Sequence, residues 1–390
     1  MACAVGAQAG AGALWLFTLT TAAAAQMSLH GTTTVVASVL AGVAFGGVAT
    51  GALLRAIPAY TLLRHAEIVR LLVVVFAIFA VDQLTIAVLV ALCATASLCE
   101  SVMSACRWQL IQWRFPNVGA RDDVSRQLQT LEAFLAVALP VIGGIATVVF
   151  GWRASLAVCG LGSLIAILSI AMLGPDGRDG NSVNQGVLAG FSAIGSNQSI
   201  RLLLAVRVLT GSSLLIWAIY VPVALKELFR ERFPLYQGLM SGLTAAAIAF
   251  GGLILIRLAR FHDIGTLPAS RHLAAVALVV YGAALVIALL LWPSAWIYAL
   301  AAMAVGLYSV AIRTSIVITA QRITPPNLVA QVVSAGDSLV RSANLLLALA
   351  FSSVVTLMTS DASRASLFVT IVAASVCAIL LMARLGRHHS

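Results

Sequence analysis

Charge is what this sequence has least of: 9% of its 390 residues are Asp, Glu, Lys or Arg, and 61% are hydrophobic. Soluble domains carry roughly 25% charged residues, so a water-soluble globule is excluded; surface this apolar needs lipid as its solvent. Lysine is almost missing, with Lys226 alone against 22 arginines. No Lys or Arg precedes Arg55, so the apolar start lacks the positive segment of a secretory leader, and Ala4–Ala25 reads as the first membrane helix. There is no phosphate-binding P-loop, which excludes an ATP-driven pump acting alone, and no HExxH or Cys/His zinc pattern. No cofactor, no metal and no enzymatic activity are therefore expected; His388 and His389 form only a weak pair near the C-terminus. The six cysteines include no CxxC pair and read as small apolar residues. The net charge of +10 is scattered between apolar runs, without the clustered basic stripe that nucleic acid requires.

What the chain does have is a series of long apolar runs. A spanning helix needs roughly 20 such residues. The runs are Ala4–Ala25, Thr32–Leu54, Leu62–Val81, Leu84–Cys106, Leu128–Phe150, Arg153–Leu173, Leu202–Leu225, Leu235–Ile256, His272–Trp292, Ala295–Ala320, Leu328–Met358 and Ala365–Leu385. They predict an all-α polytopic membrane protein of about twelve spans; barrel strands would be short and alternating. With the N-terminus placed in the cytoplasm, sixteen Lys and Arg fall on that side and five on the other, so both termini are predicted inside.

The longest hydrophilic stretch contains Pro175-Asp176-Gly177-Arg178-Asp179-Gly180-Asn181 and reads as a linker over 174–200. It divides the chain into six-helix halves, 1–173 and 201–390. The halves echo one another at an offset of 205: Ala44-Phe45-Gly46-Gly47 recurs as Ala249-Phe250-Gly251-Gly252, Arg55 as Arg260, and Glu132 as Asp337. Parallel six-helix repeats belong to a transporter architecture whose site lies between the halves near the midplane.

Several stretches carry a resemblance to the major facilitator superfamily over essentially the whole chain. Leu139-Pro140-Val141-Ile142-Gly143-Gly144 resembles the fifth-helix G-P-x-x-G-G element of exporters, and Gly151-Trp152-Arg153 the joint after it. His65-Ala66-Glu67-Ile68-Val69-Arg70, and Pro326-Asn327-Leu328 through Asp337 and Arg341, are similar to the branch of enterobactin exporters and macrolide-efflux proteins. One loop departs from the pattern. Where the family reads G-x-L-x-D-R-x-G-R, this chain has Gly51-Ala52-Leu53-Leu54-Arg55-Ala56-Ile57-Pro58, so the usual charge relay there does not carry over. The resemblance implies proton-coupled efflux of a small organic molecule, such as a siderophore or drug, by a monomer in a bacterial inner (cytoplasmic) membrane. Uptake, flipping of lysophospholipids, and a non-transporting receptor or assembly role are the alternatives.

Ionisable groups within spans are costly and are functional candidates by default. Burial raises the pKa of a carboxylic acid in general, which suits Glu or Asp to carrying protons. Glu100 lies deep in the fourth run with Arg107 two turns on, and reads as the leading proton-coupling candidate, followed by Glu132 and Asp337. Asp337 has Arg341 at ion-pair spacing, and Glu132 and Asp337 also read as charges that latch the halves together. Glu67 and Arg70 read as structural groups near the membrane surface. Arg207 and Arg313 either snorkel to the interface or face a substrate. Trp15, Trp217, Tyr220 and Tyr308 are candidate cavity aromatics, with packing or interface roles as the alternative. The spacings Gly6/Gly10, Gly42/Gly46, Gly47/Gly51 and Gly238/Gly242 predict close helix contacts.

Overall fold

The computed structural model describes residues 2–26, 29–80, 85–114, 118–174, 187–261, 266–287, 294–323, 329–357 and 376–377. Its helices are α1 (Ala2–Gln26), α2 (Leu29–Ala56), α3 (Ala59–Ala80), α4 (Ile86–Arg114), α5 (Val118–Phe150), α6 (Trp152–Leu173), α7 (Val187–Ser196), α8 (Gln198–Phe229), α9 (Phe233–Phe261), α10 (Thr266–Val286), α11 (Ala295–Ile323) and α12 (Val329–Leu357). No strand occurs among the described residues. Eleven of the expected spans are matched by long helices; the twelfth, Ala365–Leu385, lies outside the described residues apart from 376–377. The linker is not wholly irregular, because α7 packs Phe191 and Ile194 against Ile200, Leu204 and Ala335.

The helices begin and end where local chemistry dictates. Pro58 follows the last turn of α2, and its carbonyl accepts from Leu62 N–H, so α3 starts at once. Between α5 and α6, Gly151 has φ 82, a left-handed conformation that costs a glycine little. Gly31–Thr50, Ile86–Ser104 and Trp152–Leu173 are long and apolar enough to cross a membrane, and a fourth such stretch, Trp217–Ile254, runs from α8 into α9. Large apolar side chains point outward in helical stripes, Leu72, Phe76 and Phe79 on α3 and Leu161, Leu168 and Met172 on α6. That arrangement inverts a soluble protein and fits a lipid surround.

Inside the first half, α1, α3, α4 and α6 share one core. In the second, α10 and α11 pack together with α8 around Tyr281 and Tyr308. Two glycines at equivalent positions of the sequence repeat each lie against a neighbouring helix. Gly46 of α2 lies against Leu98 and Ser101 of α4, and its repeat counterpart Gly251 of α9 lies against Leu307 and Val310 of α11.

Two helix pairs join the halves most extensively, α5 with α9 and α2 with α12. The α5–α9 contact lies toward the ends marked by Phe150 and Phe233, and it is made backbone to backbone. A methyl group on Gly144 would come within 2.6 Å of Pro234 O, and one on Gly238 would meet Pro140 O. The exporter-like element Pro140, Gly143, Gly144 therefore forms part of the seam. Gly143 itself faces Leu14 and Phe17 of α1. Gly6 and Gly10 face Leu131 and Leu139 of α5, and Gly42 faces Ala94 of α4, in agreement with their spacing.

Gly144→Val should lower the thermal unfolding midpoint in detergent, by about 1–3 kcal/mol of overpacking. Gly252→Val, at a position with nothing within 4 Å, is the control and should leave the midpoint unchanged. Equal midpoints for the two variants would show that the α5–α9 contact is not tight.

Candidate functional site

A chain of charged and polar side chains crosses the interior of the first half. Its centre is Arg70, 1% exposed, whose guanidinium uses both terminal nitrogens and Nε. Nη2 pairs with Glu67, one turn away on α3. Nη1 donates to Glu100 Oε2 on α4 at 3.1 Å and to the Gln8 carbonyl on α1 at 3.0 Å. Nε donates to Ser163 Oγ on α6 at 3.2 Å. Glu67, whose side chain is 0% exposed, is completed by Gln8 Nε2 at 3.1 Å. Glu100 then passes the chain on: its Oε1 accepts from Arg107 Nη2 at 3.2 Å, and Arg107 Nη1 donates to Glu132 Oε1 on α5 at 3.0 Å. Five helices thus meet through one ionic thread.

The surroundings explain why the partners are needed. On one side lie Leu14, Trp15, Val74, Ala96 and Leu156; on the other Tyr60, Leu63, Met103 and Ile170. A lone guanidinium between two such apolar clusters would be prohibitively costly, so it must be paired and hydrogen-bonded. Gly12 of α1 leaves room for the Glu100 carboxylate beside Arg70; a side chain there would collide with it. Burial falls along the thread. Side-chain exposure rises from Glu67 at 0% through Glu100 at 27% to Glu132 at 40%. Among the described residues, three carboxylates face two guanidiniums in this thread.

The structure brings Glu100, Arg107 and Glu132 together as one group, with Glu100 at the midpoint of α4. Glu67 and Arg70, read from the sequence as structural groups near the membrane surface, are buried inside the bundle. Helix α3 begins at Ala59 rather than Leu62, which sets Arg70 about 16 Å along the helix, near its middle. The structure corrects the reading of Glu132 as a latch between halves, since its partner Arg107 belongs to the same half. Asp337, Tyr220 and Arg313 have side chains outside the described residues. Arg341 is exposed and Arg207 half-buried, and both are engaged in interactions. Trp15 and Tyr308 are buried in the two cores, and Trp217 stands edge-on to Tyr281 with ring centroids 6.0 Å apart. Cys93, Cys99, Cys106 and Cys159 are free and buried, as expected of small apolar residues. Gln8 and Ser163 are members of the site that the sequence reading misses; neither has a local signal, because each contact joins residues far apart in the chain.

No family model matches the sequence, and no curated protein does. Solved structures do match it over nearly the full length. A point mutant of the nucleoside transporter NupG superposes with TM-score 0.72 at 13% identity, covering 98% of each chain. A bacterial homologue of the iron transporter ferroportin in an inward-facing state gives 0.72 at 16%, covering 98% of this chain and 96% of the other. A D-xylose-proton symporter gives 0.71 at 13%, over 97% and 96%. The fold is that of the major facilitator superfamily, an all-α, multi-pass membrane architecture.

Removing Arg70 strands a fully buried acid. Arg70→Leu should destabilise by about 3–5 kcal/mol, and the double variant with Glu67→Leu should recover part of that loss. Glu132→Gln, at the exposed end, should cost no more than about 1 kcal/mol. Thermal midpoints of the purified variants test the order; a Glu132→Gln effect as large as that of Arg70→Leu would contradict it.

Proposed function

We propose that this chain is a secondary-active transporter that exports a small organic molecule in exchange for protons. The observation that carries the proposal is the unequal ionic thread at mid-membrane, three carboxylates to two guanidiniums, with its middle acid partly accessible. Ionisable groups inside a membrane bundle mark ion pathways and proton relays, and an acid in excess of its cations is a candidate for one. Protonation of Glu100 removes the charge that Arg70 and Arg107 share and leaves Arg107 to Glu132 alone. One proton bound or released thereby changes how α4 is held against α1, α3 and α5.

Export is supported by the exporter-like Pro140-Val141-Ile142-Gly143-Gly144 element, which lies in the seam with α9. In the predicted orientation that contact lies at the end away from the cytoplasm. Proton coupling and a small-molecule substrate are in keeping with the xylose-proton symporter among the structural neighbours. The same reading locates the protein in a bacterial inner membrane, working as a monomer, with halves 1–173 and 201–390 as the moving bodies.

Everted membrane vesicles carrying the protein, with a pH-sensitive dye in the acidified lumen, test this directly. A panel of siderophores, cationic drugs, macrolides and lysophospholipids is added in turn. A transported compound should alkalinise the lumen, and Glu100→Gln should abolish that flux with folded protein still present. Undiminished proton-driven export by Glu100→Gln would remove Glu100 from the mechanism. Silence across the panel would move the assignment to uptake, flipping or a non-transport role.

A further inference from the structure

The seam between α8 and α12 holds a second polar group, set apart from the acid thread. Asn344 lies at the middle of α12, is 3% exposed, and its Oδ1 has no hydrogen-bond partner among the described residues. Its amide lies over Gly211 of α8, where any Cβ would strike it. A buried amide oxygen left without a donor is unusual and calls for one.

Arg341 lies one turn before it on α12, and Arg207 one turn before Gly211 on α8. Leu204 of α8 faces Gly336 of α12, and Gly211 faces Asn344, so the two helices run parallel and in step. Counting from these contacts places Arg207 within about 2–3 Å of the height of Arg341. On α12, Ser338 sits against Gly47 of α2, Asn344 against α8, and Ala348 against both helices. Arg341 occupies the arc between them and is nevertheless exposed. A charged side chain on an inward arc of a spanning helix faces a water-filled space rather than lipid.

We propose that the α8–α12 seam is a substrate subsite for an organic acid bearing a hydroxyl or N–H next to its acid group. Arg207 and Arg341 take the anion, and Asn344 Oδ1 accepts from the neighbouring donor. This rests on the transport reading and names its substrate class.

Isothermal titration of the full chain in lipid nanodiscs tests it with four probes: salicylate, benzoate, salicylamide and benzyltrimethylammonium. Salicylate should bind tightest, benzoate about fivefold more weakly for the lost hydroxyl, and the uncharged and cationic probes not at all. Arg341→Gln or Arg207→Gln should weaken both acids about 10–100-fold, with Arg341→Lys retaining part of the affinity. Asn344→Leu should erase the preference for salicylate while leaving benzoate unchanged. If that variant does not fold, Asn344→Asp, nearly the same shape, should repel both acids. A preference for the cation, acid binding indifferent to both arginine variants, or no binding of any probe overturns the proposal. Proton flux driven by some other compound in the vesicle assay would then leave transport standing and sink only the anion subsite.

Discussion

A guanidinium in the apolar middle of a helix bundle imposes conditions on everything near it. Arg70 can stay charged there only if its N–H groups find acceptors, and they come from three other helices as well as its own: Gln8 O, Glu100, Ser163 and Glu67. Each of those contacts fixes the rotation of a helix about its axis. Such a network need not add net stability, since the desolvation of five charges offsets much of their attraction. Its effect is specificity: α1, α3, α4 and α6 have one mutual setting that satisfies Arg70, and slipping any of them strands a charge.

The contacts between halves are of a different kind. The α5–α9 contact relies on Gly144 and Gly238 lying against backbone, and α2 meets α12 through Gly47 and Ser338. Small-residue surfaces associate by close van der Waals fit, without long side chains interlocked across the gap. Charge holds the first half together, while glycine–backbone contacts and the apolar cluster of Leu40, Leu215, Ile219 and Ala348 join it to the second.

The membrane spans were legible in sequence because the bilayer sets a minimum apolar length, and that constraint is local. Glu100 with Arg107 was legible for a similar reason: seven residues make two turns of one helix. The burial of Arg70 was less legible, because the apolar pattern put the start of α3 one turn late. Pro58, already noted as a departure from the family loop, was the sign that the helix begins at Ala59. Gln8 and Asn344 were not legible at all. The role of Gln8 comes from Glu67 and Arg70, 59 and 62 residues away. That of Asn344 comes from a side chain missing at Gly211 on another helix. Tertiary contacts of that kind leave no periodic trace.

The repeated Phe-Gly-Gly element has a physical role that the repeat alone does not reveal. Successive glycines on α2 face opposite halves: Gly46 touches Ser101, next to Glu100 on α4, and Gly47 touches Ser338, one turn before Arg341 on α12. Ser101 Oγ also donates to Val43 O on α2 at 3.4 Å. Helix α2 is therefore the solid part between the acid-rich thread and the arginine-bearing seam. A change in how α4 is held by Arg70 and Arg107 reaches α12 through two contacts that have no flexible side chain to absorb it. In the repeat, Gly251 keeps the contact with α11, but Gly252 has nothing within 4 Å. Among the described residues, the two-sided contact is therefore made by α2 and not by its counterpart α9.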